Sequence, residues 1–547
     1  MKRREAIRSL AVAAAAFQFS KVLAAGNSAM PGGANVFEPT WASLSAYKVP
    51  DWFRDAKFGI WAHWGPQCQP ERGDWYARGM YEEGSDQYKY HVQKYGHPSK
   101  FGFKDVINEW KAENWQPEEL MALYKSAGAK YFMALANHHD NFDLYDSSHQ
   151  PWNSVKLGPK KDLIAGWAKA AKKQGLPFGV TVHAAHTWTW METAQRADKN
   201  GPYAGVPYDG KLTAADGKGK WWDGFDPQEL YAQQHALSAE SHNNGSIHSQ
   251  WNWGDGASQP TDAYINKFLN RTVELIDKYQ PELIYFDDTA LPLWPISDAG
   301  LKIAAHMYNQ SIKRNGKLKA TVFGKILDEQ QRKCMVWDIE RGQSNKIEEF
   351  AWQTDTCIGS WHYDRRIFEQ KGYKNAKTVI HTLADVVSKN GNLLLNIPLR
   401  GDGSIDEQER EVLTGIAAWM KVNEECIFGT RPWKTFGEGP ALASAAPLSA
   451  QGFNEGKGKP FTAEDIRFTT KKGKLYAILL GVPAGGEVSI TSLAKKEGNT
   501  ASVTKVTLLG YNGKLEWKQQ SEGLSITFPV LPVAAQHAVV FSISGVV

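Results

Sequence analysis

Leu283-Ile284-Tyr285-Phe286-Asp287-Asp288 is an apolar, aromatic run that ends abruptly in two carboxylates. Ahead of it, Phe268, Thr272, Leu275 and Tyr279 recur at the spacing of one helical face, and Pro281 stops that helix. The order is helix, breaker, buried strand, polar cluster. That order is one unit of a parallel β/α fold: the strand is apolar throughout because both its faces are covered, and polar groups gather where it emerges.

The same grammar recurs upstream. Residues 118–127 carry Leu120, Leu123, Tyr124 and Ala127 on one face, Gly128 ends the helix, and 130–136 read as a strand running into Asn137-His138-His139-Asp140. Asp162 opens a helix with Leu163, Trp167 and Ala170 on one side, and Gly175 stops it. Residues 177–182 then form a strand followed by His183-Ala184-Ala185-His186. An earlier strand, 58–62, runs into His63-Trp64-Gly65. In a parallel barrel these polar strand ends share one face, where active sites are built. The predicted fold class is therefore α/β: a (β/α)8-like TIM barrel over 40–436. Residues 195–260, rich in Gly, Asp, Asn and Trp, interrupt the rhythm and read as an insertion over the barrel mouth, a lid or substrate platform. Beyond Gly437 come short strands at 466–470, 474–480 and 538–543, separated by Gly-containing turns. They predict a small C-terminal β-sandwich over 437–547.

The ends and the composition bound the function. Lys2-Arg3-Arg4, a short apolar run over 10–17 and Val22-Leu23-Ala24 predict a secretory signal peptide over 1–24, with both the twin-arginine and the ordinary route open. That run is too short to span a bilayer, and no later segment is apolar enough to cross one. The expected product is a soluble bacterial protein, periplasmic or secreted, with no membrane attachment after cleavage. A net charge of +4 gives no argument for a nucleic-acid partner. Cys68, Cys334, Cys357 and Cys426 have neither CxxC nor zinc spacing, and the plain expectation is buried free thiols. The 22 tryptophans point toward carbohydrate, because sugar rings present apolar C–H faces that stack on aromatic planes.

Several segments, taken together and in order over roughly 50–435, resemble the retaining α-L-fucosidases of glycoside hydrolase family 29. These are 57–65, Ala127-Gly128-Ala129-Lys130-Tyr131 running into His138-His139-Asp140, Trp152-Asn153-Ser154-Val155 before 158–163, and 387–397. The resemblance implies a barrel followed by a β-sandwich, no metal or other cofactor, and terminal α-linked L-fucose of oligo- or polysaccharides as substrate. It implies nothing about oligomeric state.

The resemblance also implies roles. The nucleophile is the Asp directly after the apolar-aromatic strand, Asp287; Asp288 is the alternative if a bulge shifts the strand by one residue. Glu340, in 335–342, matches a Glu-Arg-Gly turn that carries the acid/base, with Asp338, Glu348 and Glu349 as alternatives. Gln353 stands where some members carry Glu, and an amide cannot donate and reclaim a proton. His63, His138 and His139 match positions that hydrogen-bond fucose, and Trp75 matches a Trp lining the sugar, with Asp74 in place of Glu. Trp352, beside Gln353, is read as a further sugar contact. His183 stands where the family often has Tyr. Lys325 replaces an Arg and offers no forked donor set. Two other functions remain open: a related retaining glycosidase acting on sulfated fucan or an α-L-galactoside, and a catalytically degenerate carbohydrate-binding protein. The surviving Asp287 and Glu340 argue against the last.

Overall fold

Eight parallel strands close on themselves: β1 (Phe58–Ala62), β2 (Tyr131–Asn137), β3 (Phe178–Val182), β4 (Leu283–Phe286), β5 (Thr321–Gly324), β6 (Val336–Glu340), β7 (Trp352–Cys357) and β8 (Gly391–Asn396), with β8 pairing back onto β1. This is a computed structural model that describes residues 36–239, 250–444, 453–483, 486–495, 502–529 and 537–547. The signal peptide expected over 1–24 lies outside the described residues. The chain divides into a unit Met1–Val36 and a unit Phe37–Val547; the barrel and all that follows belong to the second. Every residue of β1 to β5, β7 and β8 is buried; β1 to β4 accordingly read as continuous apolar runs, whereas β7 carries Gln353, Thr354 and Asp355 in its middle.

Among the described residues six helices reach ten residues or more: α1 (Pro117–Ser126), α2 (Leu163–Gln174), α3 (Asp262–Tyr279), α4 (Ala299–Asn315), α5 (Ala376–Ser388) and α6 (Glu407–Asn423). Local chemistry sets their ends. The Asp162 carboxylate accepts from the Ala165 N–H at 2.8 Å and caps α2, and Gly175, at φ 68°, closes it. α3 starts at the Thr261 cap and stops at Gln280, just ahead of Pro281. No helix of that length covers β6, because only a short 3-10 turn (Gln331–Lys333) joins β5 to β6. The outward Trp337 on β6 is covered instead by the Arg332 guanidinium, 3.5 Å from its ring centroid.

The C-terminal part is a sandwich of two antiparallel sheets, as the sequence predicts. One holds β9 (Arg431–Glu438), β10 (Ile466–Lys471), β11 (Lys474–Leu479), β13 (Lys505–Leu508) and β16 (Val539–Ser544); the other holds β12 (Glu487–Ile490), β14 (Trp517–Gln519) and β15 (Leu524–Thr527). β9 begins at Arg431, so the sandwich starts inside the stretch read above as barrel up to 436. The strand β9 lacks the apolar run that announces its neighbours.

β11 and β16 face two cores at once. Leu475, Ala477 and Leu479 pack with Val488, Ile490, Leu524 and Ile526 inside the sandwich. Tyr476, Ile478 and Val540, on the opposite faces, belong to the barrel's own core. Alternation on a pleated strand makes this double duty possible. A buried ion triad secures the junction: Asp385 on α5 accepts from Arg467 on β10 at 2.5 Å and from Lys389 at 2.6 Å. Burial alone would raise the Asp385 carboxyl, but the Lys389 and Arg467 charges outweigh it and hold it below its usual value. Asp385→Ala would leave two buried cations unpaired, and the expected loss is about 3–5 kcal/mol. Urea unfolding measures it; a loss below about 1 kcal/mol would mean the triad does not hold the junction.

Candidate active site

Strand parity decides what reaches the barrel mouth. Residues two apart on a strand share a face. On β4, Tyr285 points inward, its hydroxyl donating to Asp355 on β7 at 2.9 Å, so Asp287 follows it inward. Trp61 and then His63 do the same from β1, and Asp338 and then Glu340 from β6. Beneath the mouth lies a polar layer. The Tyr131 hydroxyl donates to Gln353 Oε1 at 2.8 Å, and Gln353 Nε2 donates to Asp338 Oδ2 at 2.8 Å. Tyr131 fits only because β1 has Gly59 beside it: a Cβ there would stand 2.3 Å from the ring. Burial, and then the charge of Asp355, push the Asp338 carboxyl well above the carboxylate range.

Lys325 organises the centre. Its ammonium is buried and donates to Asp287 Oδ1 at 2.6 Å and to Glu340 Oε2. One ammonium thus holds an oxygen of each carboxyl, so those oxygens lie no more than about 5 Å apart. Gly324 lets this happen: a Cβ there would lie 2.3 Å from the Ala290 carbonyl, whereas the bare backbone allows the Lys325 N–H to donate to the Thr289 carbonyl at 3.0 Å. The two carboxyls titrate apart. Burial would raise Asp287, but Lys325 and the hydrogen bonds from His139 and His183 prevail and hold it well below the usual range. Glu340 is pushed up to about 7 by burial, against the pull of Lys325 and with the help of the Asp287 charge. Both side chains still open to the pocket, 21 % and 17 % exposed.

Histidines line the rest of the floor. His139 Nε2 and His183 Nδ1 each stand 3.2 Å from Asp287 Oδ2, and His139 Nδ1 donates to the His183 carbonyl at 2.6 Å. His63 is set by β8, where Asn396 accepts its N–H at 2.9 Å and donates to the Trp361 carbonyl at 2.9 Å. Burial, followed by neighbouring histidines, lowers His63 and His138 well below the ordinary value, so both are neutral. A neutral imidazole offers one donor and one acceptor, which matches the two faces of a sugar hydroxyl.

Two triplets, His63–His138–His362 and His138–His139–His183, have ring nitrogens close enough for a metal. Both include His138, whose tautomer is set by Gln67. The Gln67 Oε1 accepts from the Ala77 N–H at 3.3 Å, so its Nε2 faces Asp140 Oδ2 at 3.0 Å and His138 Nδ1 at 2.8 Å. His138 Nδ1 is therefore an acceptor and Nε2 carries the proton into the pocket. A protonated nitrogen is no ligand, so this donor set suits hydroxyls better than a metal.

Aromatic side chains form the walls. Trp75 has a left-handed backbone (φ 62°), and Asp74 accepts the His362 N–H at 2.7 Å. From the 195–260 insertion, Trp251 reaches the pocket and stacks on His186 at 4.0 Å, as Trp253 does at 4.8 Å; His186 Nε2 in turn lies 3.0 Å from Asp288 Oδ1. The insertion thus supplies part of the wall.

Of the residues singled out in the sequence, His63, Trp75, His138, His139, His183, Asp287, Lys325 and Glu340 converge here. Trp352 does not, and this corrects the reading of it as a sugar contact. Gln353 and Asp355 face inward, so Trp352 faces out, packs on Ile339 and Val386, and donates its indole N–H to the Lys389 carbonyl at 2.8 Å. Asp338 lies below the pocket floor, while Glu348 and Glu349 precede β7, at the opposite end of the barrel. Sequence reasoning missed Trp61, Tyr285, Ile326, Asp355, Trp361, His362 and Phe453 as lining residues. His362, beyond the end of β7, carries the same strand-end signal as the others; nothing local announces Phe453.

Comparison with known proteins gives a consistent result. A family profile described as alpha-L-fucosidase matches residues 25–425, and one described as alpha-L-fucosidase C-terminal domain matches 459–544. The chain is similar to the tissue alpha-L-fucosidase of Homo sapiens, 26% identical over 525 residues that cover 93% of this chain and 92% of that one. The Rattus norvegicus tissue enzyme is 25% identical over 529 residues, 94% of each. The solved structure of the Thermotoga maritima alpha-fucosidase in complex with a mechanism-based inhibitor is 25% identical and superposes with a TM-score of 0.65, over 93% of this chain and 99% of that one.

Proposed function

From its membership of the α-L-fucosidase family, to which this chain belongs, we propose that it releases terminal α-L-fucose from glycans by double displacement, with Asp287 as nucleophile and Glu340 as acid/base. The observation that carries this is the Lys325 bridge: one ammonium joins a carboxylate held ionised to a carboxyl pushed up to about 7. The spacing that the bridge imposes suits a retaining enzyme, whose two carboxyls stand about 5–5.5 Å apart.

In the first step Asp287 attacks the anomeric carbon while Glu340 gives its proton to the departing glycosidic oxygen. Forming the ester removes the charge on Asp287. Glu340 then loses its anionic neighbour but keeps Lys325, so its pKa falls and it becomes a base for the incoming water. Water attacks the same carbon, Glu340 takes its proton, and Asp287 leaves as carboxylate with the sugar's configuration retained. The neutral histidines exchange hydrogen bonds with the fucose hydroxyls, and the tryptophans cover its apolar face. A protein that only bound sugar would have no use for a proton donor tuned to about 7.

We further propose that residues 1–24 direct export to the periplasm or medium. The basic start, the short apolar run and Val22-Leu23-Ala24 support this, and among the described residues no helix is long and apolar enough to cross a membrane. N-terminal sequencing of the exported protein should find Ala25 first; a retained Met1 would refute cleavage.

Asp287→Ala should lower turnover of an α-L-fucoside by on the order of 10^4 or more, with activity partly restored by azide. Glu340→Ala should lose roughly 10^2–10^4 on sugar leaving groups. A wild type inert on α-L-fucosides would sink the proposal, as would inversion of the anomeric carbon in proton NMR.

The pH profile follows from the same charges. As pH rises through about 7, Glu340 loses the proton it must donate, so kcat/KM should fall there. Lys325 lowers both carboxyls. Lys325→Met should therefore move both limbs of the bell to higher pH and reduce its height; a bell that stays in place would count against this electrostatic role.

A further inference from the structure

Phe453 belongs to neither the barrel nor a strand of the sandwich, yet it lines the catalytic pocket. It lies on a strap between β9 and β10, described from residue 453 onward, that is bonded to the turn after β6. The Phe453 N–H donates to the Glu340 carbonyl at 2.8 Å, and the Glu455 N–H to the Arg341 carbonyl at 2.9 Å. Asn454 closes the pairing from both sides: its Oδ1 accepts the Gln343 N–H at 2.8 Å, and its Nδ2 donates to the Gln343 carbonyl at 3.0 Å. The Glu455 carboxylate anchors the strap, accepting from the Thr356 hydroxyl at 2.9 Å and the Lys374 ammonium at 2.6 Å.

The backbone around this contact is strained. Arg341 (φ 43°), Phe453 (φ 51°) and Ile326 (φ 49°) all lie in the left-handed region, which bulky and β-branched residues rarely enter without a functional constraint. Two of the three, Ile326 and Phe453, present apolar side chains to the pocket, one next to Lys325 and one bonded to Glu340. Phe453 is 38 % exposed. The partly open ring faces the pocket beside Ile326, where the apolar face of a bound sugar can cover it.

The chemistry says which sugar this is. Glu340 delivers its proton to the glycosidic oxygen, so the leaving group departs on the Glu340 side, where Phe453 sits. We propose that Phe453, flanked by Ile326, is the platform of the leaving-group subsite, on which the C–H face of the departing sugar stacks. This rests on the reading of Glu340 as proton donor.

Two substrates separate the roles. Methyl α-L-fucoside has no leaving-group ring, although its methoxide still needs the Glu340 proton; a disaccharide of fucose α-linked to galactose has one. Phe453→Ala should lower kcat/KM on the disaccharide by about tenfold or more, since aromatic stacking contributes on the order of that factor. On the methyl fucoside the change should stay within about twofold, which also shows the variant folded. Phe453→Tyr should restore the disaccharide rate. Equal losses on both substrates would overturn the proposal, reducing the strap to a support for Glu340, and so would no loss on either. A wild type inert on both would overturn the fucosidase reading and this one with it.

Discussion

A single ammonium shared by two carboxyls governs the site. Asp287, Lys325 and Glu340 come from the ends of β4, β5 and β6, and without the cation the two carboxylates would repel each other at the barrel mouth. The bridge draws three neighbouring strand ends into one cluster and biases one acid toward ionisation while burial leaves the other near neutrality. It also demands a close approach of backbone to backbone, which Gly324 permits. An arginine would spread its charge over a planar fork; a lysine concentrates it at a point that both acids can reach.

Around that charge, the protein avoids further ones. Desolvation keeps His63 and His138 neutral, and raises Asp338 below them toward its protonated form. The floor therefore offers paired donors and acceptors at low charge, the arrangement a polyhydroxylated neutral ligand needs. Gln67 extends this control by setting which nitrogen of His138 carries the proton. The insertion after β3 contributes through Trp251 and Trp253, which stack on His186, the partner of Asp288.

The β-sandwich shares the barrel's structure. β11 and β16 place alternate residues in the sandwich and in the barrel core, and the Arg467–Asp385–Lys389 triad joins β10 to α5. The strap at Phe453–Glu455 leads into that sandwich and bonds to the turn that carries Glu340. Barrel, strap and sandwich are thus mechanically continuous up to the carboxyl itself.

Much was legible from the sequence because period and punctuation are local. The 3.6-residue faces, the Gly and Pro stops and the apolar runs mark α1 to α3 and β1 to β4 and place Asp287 at a strand end; its role as nucleophile is what the family resemblance implies. The same locality set the limits. β9 has no apolar run, so its start at Arg431 was hidden, and β7, with Gln353, Thr354 and Asp355 in its middle, does not read as a strand. Without its facing, Trp352 passed for a pocket residue, although Gln353 beside it fills the inward place. Sequence alone determined the barrel, the polar strand ends and the nucleophile candidate. Tertiary structure alone decided that Glu340 rather than Asp338, Glu348 or Glu349 opens to the pocket, that Lys325 bridges the acids, and that Phe453 returns from beyond β9 to the mouth. Those facts depend on which way each strand faces and on contacts between distant segments, and neither is encoded in any one stretch of the chain.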